Sequence, residues 1–248
     1  MHEHLPGVDK LLPQLTPTVA EDRLTLTLGE KELVAVLQPL LTHSRGAAVR
    51  AQSMNSLQQL GVALHNYHDD HKTFPPAASR DKQGKPLLSW RVHLLPYLEQ
   101  DALYKEFHLD EPWDSEHNKK LIARMPAVFR GPNRKLTEEG KTPFLAPVGA
   151  VTVFTGGPKG IRITDITDGT SNTILLVEAD DEHAVIWTKP DDIKYDPKQP
   201  QAGLAEHKPG GYVFLFADGS VHLVPSTIDR KMLHALFTRA GGEVVSIP

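Results

Sequence analysis

The chain has 248 residues, 40% of them apolar, enough to close a sizeable core, and a formal charge of -4 from 27 Lys and Arg set among 31 Asp and Glu. No basic block stands out, so nucleic acid is excluded as an expected partner. The sequence contains no cysteine, which removes disulfides, thiolate metal sites and a cysteine nucleophile and leaves the redox compartment unread.

Residues 1–22 carry Pro6, Pro13 and Pro17 with little periodicity, and read as an extended or poorly ordered leader ahead of a single domain at 23–248. No apolar run reaches the roughly 20 residues that a bilayer demands, and the first residues lack the basic and apolar regions of a signal peptide, so no membrane span is expected. Arg23 to Gly29 alternates apolar and polar positions and predicts a strand of the main sheet.

From Glu30 the pattern turns helical, with Pro39 and Gly46 as weak points, and it is clearest over 47–71. Met54, Leu57, Leu60, Gly61, Leu64 and His68 recur at spacings of three and four, an apolar stripe that needs a sheet to cover it. Pro75 and Pro76 end the helix, since proline lacks an amide donor and restricts the residue before it. Ser89 is placed to cap a turn at 90–95, which Pro96 separates from a second piece at 97–104. Asp114 or Ser115 is placed to cap a short helix over 116–125.

Past Pro126 the texture changes to short β-like runs at 142–148, 151–154, 173–178 and 184–187. Tyr212 to Phe216, Asp218-Gly219 and Ser220 to Val224 spell a hairpin, because Asp-Gly supplies the positive φ angles of a tight turn. Thr227 is placed to cap a last helix through Arg239. The fold class is therefore α+β: a long N-terminal helix on an antiparallel sheet, small accessory helices, and a C-terminal hairpin plus helix.

Several ordered motifs carry a resemblance: Leu57-Gln58-Gln59-Leu60-Gly61-Val62-Ala63-Leu64-His65-Asn66-Tyr67-His68-Asp69, Phe74-Pro75-Pro76-Ala77, Leu88-Ser89-Trp90-Arg91-Val92, Leu95 to Gln100, Asp168 to Ile174, and Phe216 to Val221. Together they resemble the pilin-related H-x9-DG family, over most of residues 45–248. The resemblance implies a pilin-like, pseudopilin-type architecture akin to type II secretion pseudopilins, exported to an extracytoplasmic place. It implies protein partners or self-assembly. The family is also catalogued as putative solute-binding proteins. Two departures stand out: the usual membrane segment is replaced by the leader, the 24–28 strand and the stretch Val34 to Leu41, and ten residues, not nine, separate His207 from Asp218.

The residues themselves offer three readings of function. The leading one is a non-enzymatic, pseudopilin-like structural or protein-interaction module, which the resemblance implies and which agrees with the lack of a G-x-S-x-G elbow, P-loop or G-x-G-x-x-G. The second is a solute- or glycan-binding domain at an edge gathering Glu178, Trp187, Lys189, His207 and Asp218. The third is a metal-dependent hydrolase, with a divalent metal held by His65, His68 and Asp69, whose spacing puts His65 and Asp69 one helical turn apart. No other cofactor is expected. Histidines on a helix surface are more often solvated or capping groups, and aromatic residues such as Trp90, Tyr97 and Trp113 more often core. Asp165, Asp168, Ser171 and Asn172 read as an Asx-type turn bonded to neighbouring amides, and Gly156 to Gly160 as a flexible turn.

Overall fold

A computed structural model describes residues 18–20, 23–25, 30–207 and 210–243, with side chains described at 34, 44–207 and 210–243. The chain divides into two units, Met1–Arg50 and Ala51–Pro248. In the first, β1 (Thr18–Ala20) pairs antiparallel with β2 (Arg23–Thr25), Val19 opposite Leu24, as a two-stranded ribbon. The expectation that this stretch joins the main sheet is corrected by that pairing. A neighbour two residues away closes at far smaller entropic cost than a distant strand. Residues 26–29 and most of the 1–22 leader lie outside the described residues.

The helix α1 (Glu30–His71) runs 42 residues and continues through Pro39 and Gly46. Loss of one amide donor weakens a helix without necessarily ending it, because the surrounding turns propagate cooperatively. Within the second unit, Ser53, Ser56, Leu57, Leu60, Ala63 and Leu64 are buried, so the stripe read from the sequence is the buried side. Gln52, Gln58, Gln59, Val62 and Asn66 are exposed on the other sides.

After the helix, β3 (Ala78–Arg80) and β4 (Pro86–Ser89) form a hairpin that delivers α2 (Trp90–His93). Ser89 caps α2 as expected, its hydroxyl accepting from the Arg91 amide. A 3-10 turn over Leu95–Leu98 and α3 (Asp101–Tyr104) follow, with the bend at Pro96 that the sequence announces. The expected helix at 116–125 is instead a 3-10 turn, Asn118–Arg124, preceded by a hydrogen bond from the Asn118 amide to the Ser115 hydroxyl. Buried Asn118 also donates to the carbonyls of His108, Glu111 and Pro112, ties that a regular α-helix there would not make.

The second half supplies α4 (Arg134–Glu138), β5 (Lys141–Thr142), β6 (Phe144–Leu145), β7 (Pro147–Val148), β8 (Ile174–Glu178), β9 (Val185–Ile186), β10 (Ile193–Lys194), β11 (Gly211–Phe216), β12 (Val221–Pro225) and α5 (Arg230–Phe237). The main sheet has the order β12-β11-β8-β6, with every neighbour antiparallel. The 151–154 run contributes a single bridge, Val148 to Phe154. Asp229, not Thr227, caps α5, accepting from the amides of Lys231 and Met232, and the helix stops at Phe237.

The main sheet is covered on both faces. Val213, Leu215 and Leu176 join the cluster that holds Leu57, Leu60 and Leu64 of α1, whereas Phe214, Phe216, Ile174 and Val177 join Leu233, Leu236 and Phe237 of α5. This explains why β8 reads as an unbroken apolar run: a strand buried on two faces has no solvent side to alternate toward. At Gly61 the Leu215 side chain packs directly over α1, 2.8 Å from where a Cβ would sit. The loop Gly156 to Gly160 is more than a flexible turn, since a Cβ at Gly160 would fall 1.6 Å from the Phe74 carbonyl oxygen. That crossing is fixed next door, where the Phe74 amide donates to the Ile161 carbonyl at 2.8 Å. Among the described residues no helix is long and apolar enough to cross a membrane.

Candidate functional site: a polar cleft beside Trp113

Two antiparallel pieces and a loop build a cleft of about 400 Å³ in the second unit. β5 pairs with β9, Lys141 opposite Ile186, and the Trp187 amide donates to the Gly140 carbonyl, which brings the 182–186 segment alongside Lys141. On the other side the Trp113 amide donates to the Leu87 carbonyl at the end of the β3–β4 hairpin, setting the indole against the cleft. The Lys189–Asp192 loop completes the lining. The volume is in the range of small-molecule sites.

Adjacent residues of that loop have different surroundings. Asp192 is 3% exposed in its side chain and meets the Arg91 guanidinium at 2.6 Å. It also accepts from the Trp90 indole and from the Ala146 amide at 2.8 Å. Arg91 spends its remaining donors on the Phe144 carbonyl, the Ser89 hydroxyl and the Asp191 carbonyl, so this fully buried guanidinium is held from several sides. Burial pushes the Asp192 carboxyl up from the ordinary carboxylate value and the Arg91 guanidinium down, against the mutual attraction that keeps the pair together. Asp191, by contrast, meets Lys189 at 2.9 Å with both side chains about 40% exposed (41% and 43%). The Lys189 ammonium also lies 5.8 Å from the centroid of the Trp113 ring, within reach of its π face.

His183 bonds Asp180 at 2.6 Å, and Asp180 also accepts the amides of Glu182 and His183, a tight Asx turn that holds the upper lip of the cleft. Lys141 is paired with Glu139 at 2.8 Å. The Glu182 carboxylate has no hydrogen bond or ion pair among the described residues.

The residues that the sequence gathered into one binding edge fall in four places. Glu178 and His207 do come together, 2.8 Å apart, at side-chain exposures of 3% and 7%. The Gly210 amide donates to the His207 carbonyl and the His207 amide to the Gly211 carbonyl. Trp187 is fully buried, stacked on Phe129 and edge-on to Phe107, with its indole N–H given to the Ile122 carbonyl. Lys189 alone lines the cleft. Asp218 closes the β11–β12 turn by accepting from the Ser220 amide and hydroxyl.

The histidine run is similarly divided. The His65 ring lies against Phe74 and beside Gly219, and its Nε2 is buried without a hydrogen-bond partner among the described residues. His68 Nε2 accepts from the Ile163 amide at 3.2 Å, which uses the lone pair a metal would need there, and burial lowers its pKa. Asp69 is 81% exposed and 3.9 Å from His68 Nδ1. Among the described residues no group of three or more His, Asp or Glu is placed to hold a metal ion.

Two further groups have partners the sequence reading missed. Asp168 does not bond its neighbours in an Asx turn. It accepts from the Thr238 hydroxyl and from the amides of Gly241 and Gly242, at 3.2, 2.6 and 2.8 Å, and so anchors the segment after α5. Trp113, expected in the core, is only partly buried and serves as the aromatic wall of the cleft. No local pattern marks either, because both depend on contacts between distant parts of the chain.

Residues 42–153 match the model of a family described as "Protein of unknown function (DUF1559)", which carries the label SBP_bac_10. The match spans α1 from Thr42 onward, the Trp90-Arg91 pair of the buried knot and the Trp113 wall of the cleft. No curated protein and no solved structure matches the chain. The likeness that these comparisons carry is therefore to a family whose function is unknown, over less than half of the chain.

Proposed function

We propose that this protein is a non-enzymatic interaction module of pilin-related, pseudopilin-like type, serving an extracytoplasmic, secretion-related assembly through protein partners or further copies of itself. One observation carries the reading: residues 51–71 of α1 lie on an antiparallel sheet with Leu57, Leu60 and Leu64 buried, while Gln58, Gln59, Val62 and Asn66 face outward. Val62, 58% exposed in the middle of that outer side, leaves an apolar group open for a partner to cover. The ordered sequence motifs support the same reading. The ionisable side chains of Arg91, Asp192, Glu178 and His207 are each bonded to a partner within the fold.

The test is a photo-cross-linking amino acid at Gln59 or Val62, with export followed by an alkaline phosphatase fusion at the C-terminus. Discrete adducts from the Val62 position, absent from a probe placed at exposed Lys120, together with phosphatase activity, are the expected result. An uncross-linked chain with an inactive fusion would overturn the proposal.

A further inference from the structure

We propose that the cleft walled by Trp113 and Lys189 is a binding site for a neutral saccharide, one or two sugar rings in size. The claim stands on three features of the cleft and is independent of the assembly role above.

The first feature is size and wall chemistry. A volume of about 400 Å³ admits one or two rings, and it is bounded by one partly exposed indole and the aliphatic side chains of Val185 and Ile186. Sugar rings present a face of C–H groups that packs on an aromatic ring, so a single well-placed tryptophan gives such a ligand its apolar contact.

The second feature is charge whose groups are mostly paired already. Lys189 faces Asp191, Lys141 faces Glu139, and His183 faces Asp180. An anionic ligand would have to break one of these pairs to gain another, and a cation would gain only the exposed Glu182 carboxylate, a surface pair of small worth. A hydroxyl group breaks nothing: its oxygen accepts from the ammonium while its hydrogen is donated to the carboxylate, so it inserts into an ion pair with both partners satisfied. The Lys189–Asp191 pair beside the Trp113 ring offers such a donor and acceptor next to the aromatic surface.

The third feature is the Glu182 carboxylate, which lines the cleft with no partner among the described residues and has acceptor capacity left for a further hydroxyl. Below it the floor is rigid, because Asp192 is locked to Arg91, Trp90 and Ala146. A pre-formed floor spares the ligand the entropic cost of ordering it.

The protein carries its own reporter. Of three tryptophans, Trp90 and Trp187 are fully buried, leaving Trp113 as the indole open to a quencher. Iodide quenching of tryptophan fluorescence would be measured with glucose, galactose, mannose, N-acetylglucosamine and their β-linked disaccharides, and in parallel with glycine, glutamate, citrate and spermidine. At saturation one or more saccharides should protect Trp113, the charged probes should not, and Lys189→Ala should weaken that saccharide about tenfold or more, as loss of a charge-assisted hydrogen bond does. Asp191→Asn is the second variant, expected to weaken it in the same direction. Both variants are checked for an unchanged melting transition. Protection by monosaccharides would point to free sugars, and protection by disaccharides alone to a chain of linked sugars, and either supports the site. Protection by none of the saccharides, protection by a charged probe instead, or saccharide affinity unchanged in both variants would overturn it.

Discussion

Asp191 and Asp192 are chemically identical and adjacent in sequence, yet one is part of the core and the other part of the surface. The Asp192 side chain has given up nearly all its solvent and is held by a guanidinium, an indole and an amide. The Asp191 side chain keeps its water and holds a single exposed lysine, and only its backbone carbonyl accepts from Arg91. The difference teaches that in this fold burial, not residue type, separates charges that hold the structure from charges that remain free to meet a ligand. The same division separates the Glu178–His207 pair from the His183–Asp180 pair.

The strongest way to break this comparison is to remove Asp192. Asp192→Ala would leave a fully buried guanidinium without its counter-charge and the Ala146 amide without an acceptor. Truncating one partner of such a pair costs about 3–5 kcal/mol, which chemical denaturation would read as a large fall in midpoint. Replacing both partners together by apolar residues of similar size should recover much of the loss, since the desolvation cost of the pair disappears with its charges. A fall of less than 1 kcal/mol on Asp192→Ala would show that the knot is ornamental.

A smaller effect comes from a buried base with no partner. His93 lies against the Tyr104 ring with its Nε2 unbonded among the described residues, and burial lowers its pKa to about 4, with His71 adding to the shift. The folded state therefore favours the neutral ring. Its stabilising contribution is complete above the unfolded value near 6.5 and is lost as the pH falls toward 4, about 3 kcal/mol over that window. Melting temperature measured from pH 7 to pH 4 should fall less steeply in His93→Phe than in the parent chain. Identical slopes would place the acid sensitivity elsewhere, His68 being the next candidate because its Nε2 must stay unprotonated to accept from Ile163.

Much of the scaffold was legible in the sequence because it rests on local signals. The Leu57, Leu60 and Leu64 stripe, the Ser89 cap, the bend at Pro96 and the Asp218-Gly219 turn each declare themselves within a few residues, and each stands where expected. The site was not legible in that way. Trp187 and Trp113 each sit close to charged residues in the sequence, and the packing of Phe107 and Phe129 against Trp187 sends it inward. Glu178 was correctly drawn to His207 but not to Lys189, since pairing of β8 with β11 carries it to a different part of the sheet. The cap of α5 was misplaced by two residues for a similar reason: Thr227 and Asp229 are both good cap types, and the chain path after Pro225 decides between them.

The smallest expected effect is the one that sharpens the comparison most. Asp191→Ala removes a carboxylate bonded to the Lys189 ammonium, both groups being more than a third exposed. Water can replace either partner, and the freed lysine regains side-chain entropy, so the change should cost less than about 1 kcal/mol and shrink further in high salt. Set against the loss expected for its neighbour, that near-silence would show that the cleft's charges are spare as far as stability is concerned. If Asp191→Ala instead destabilised the protein as much as Asp192→Ala, the two residues would belong to one structural network, and the lip of the cleft would be part of the core.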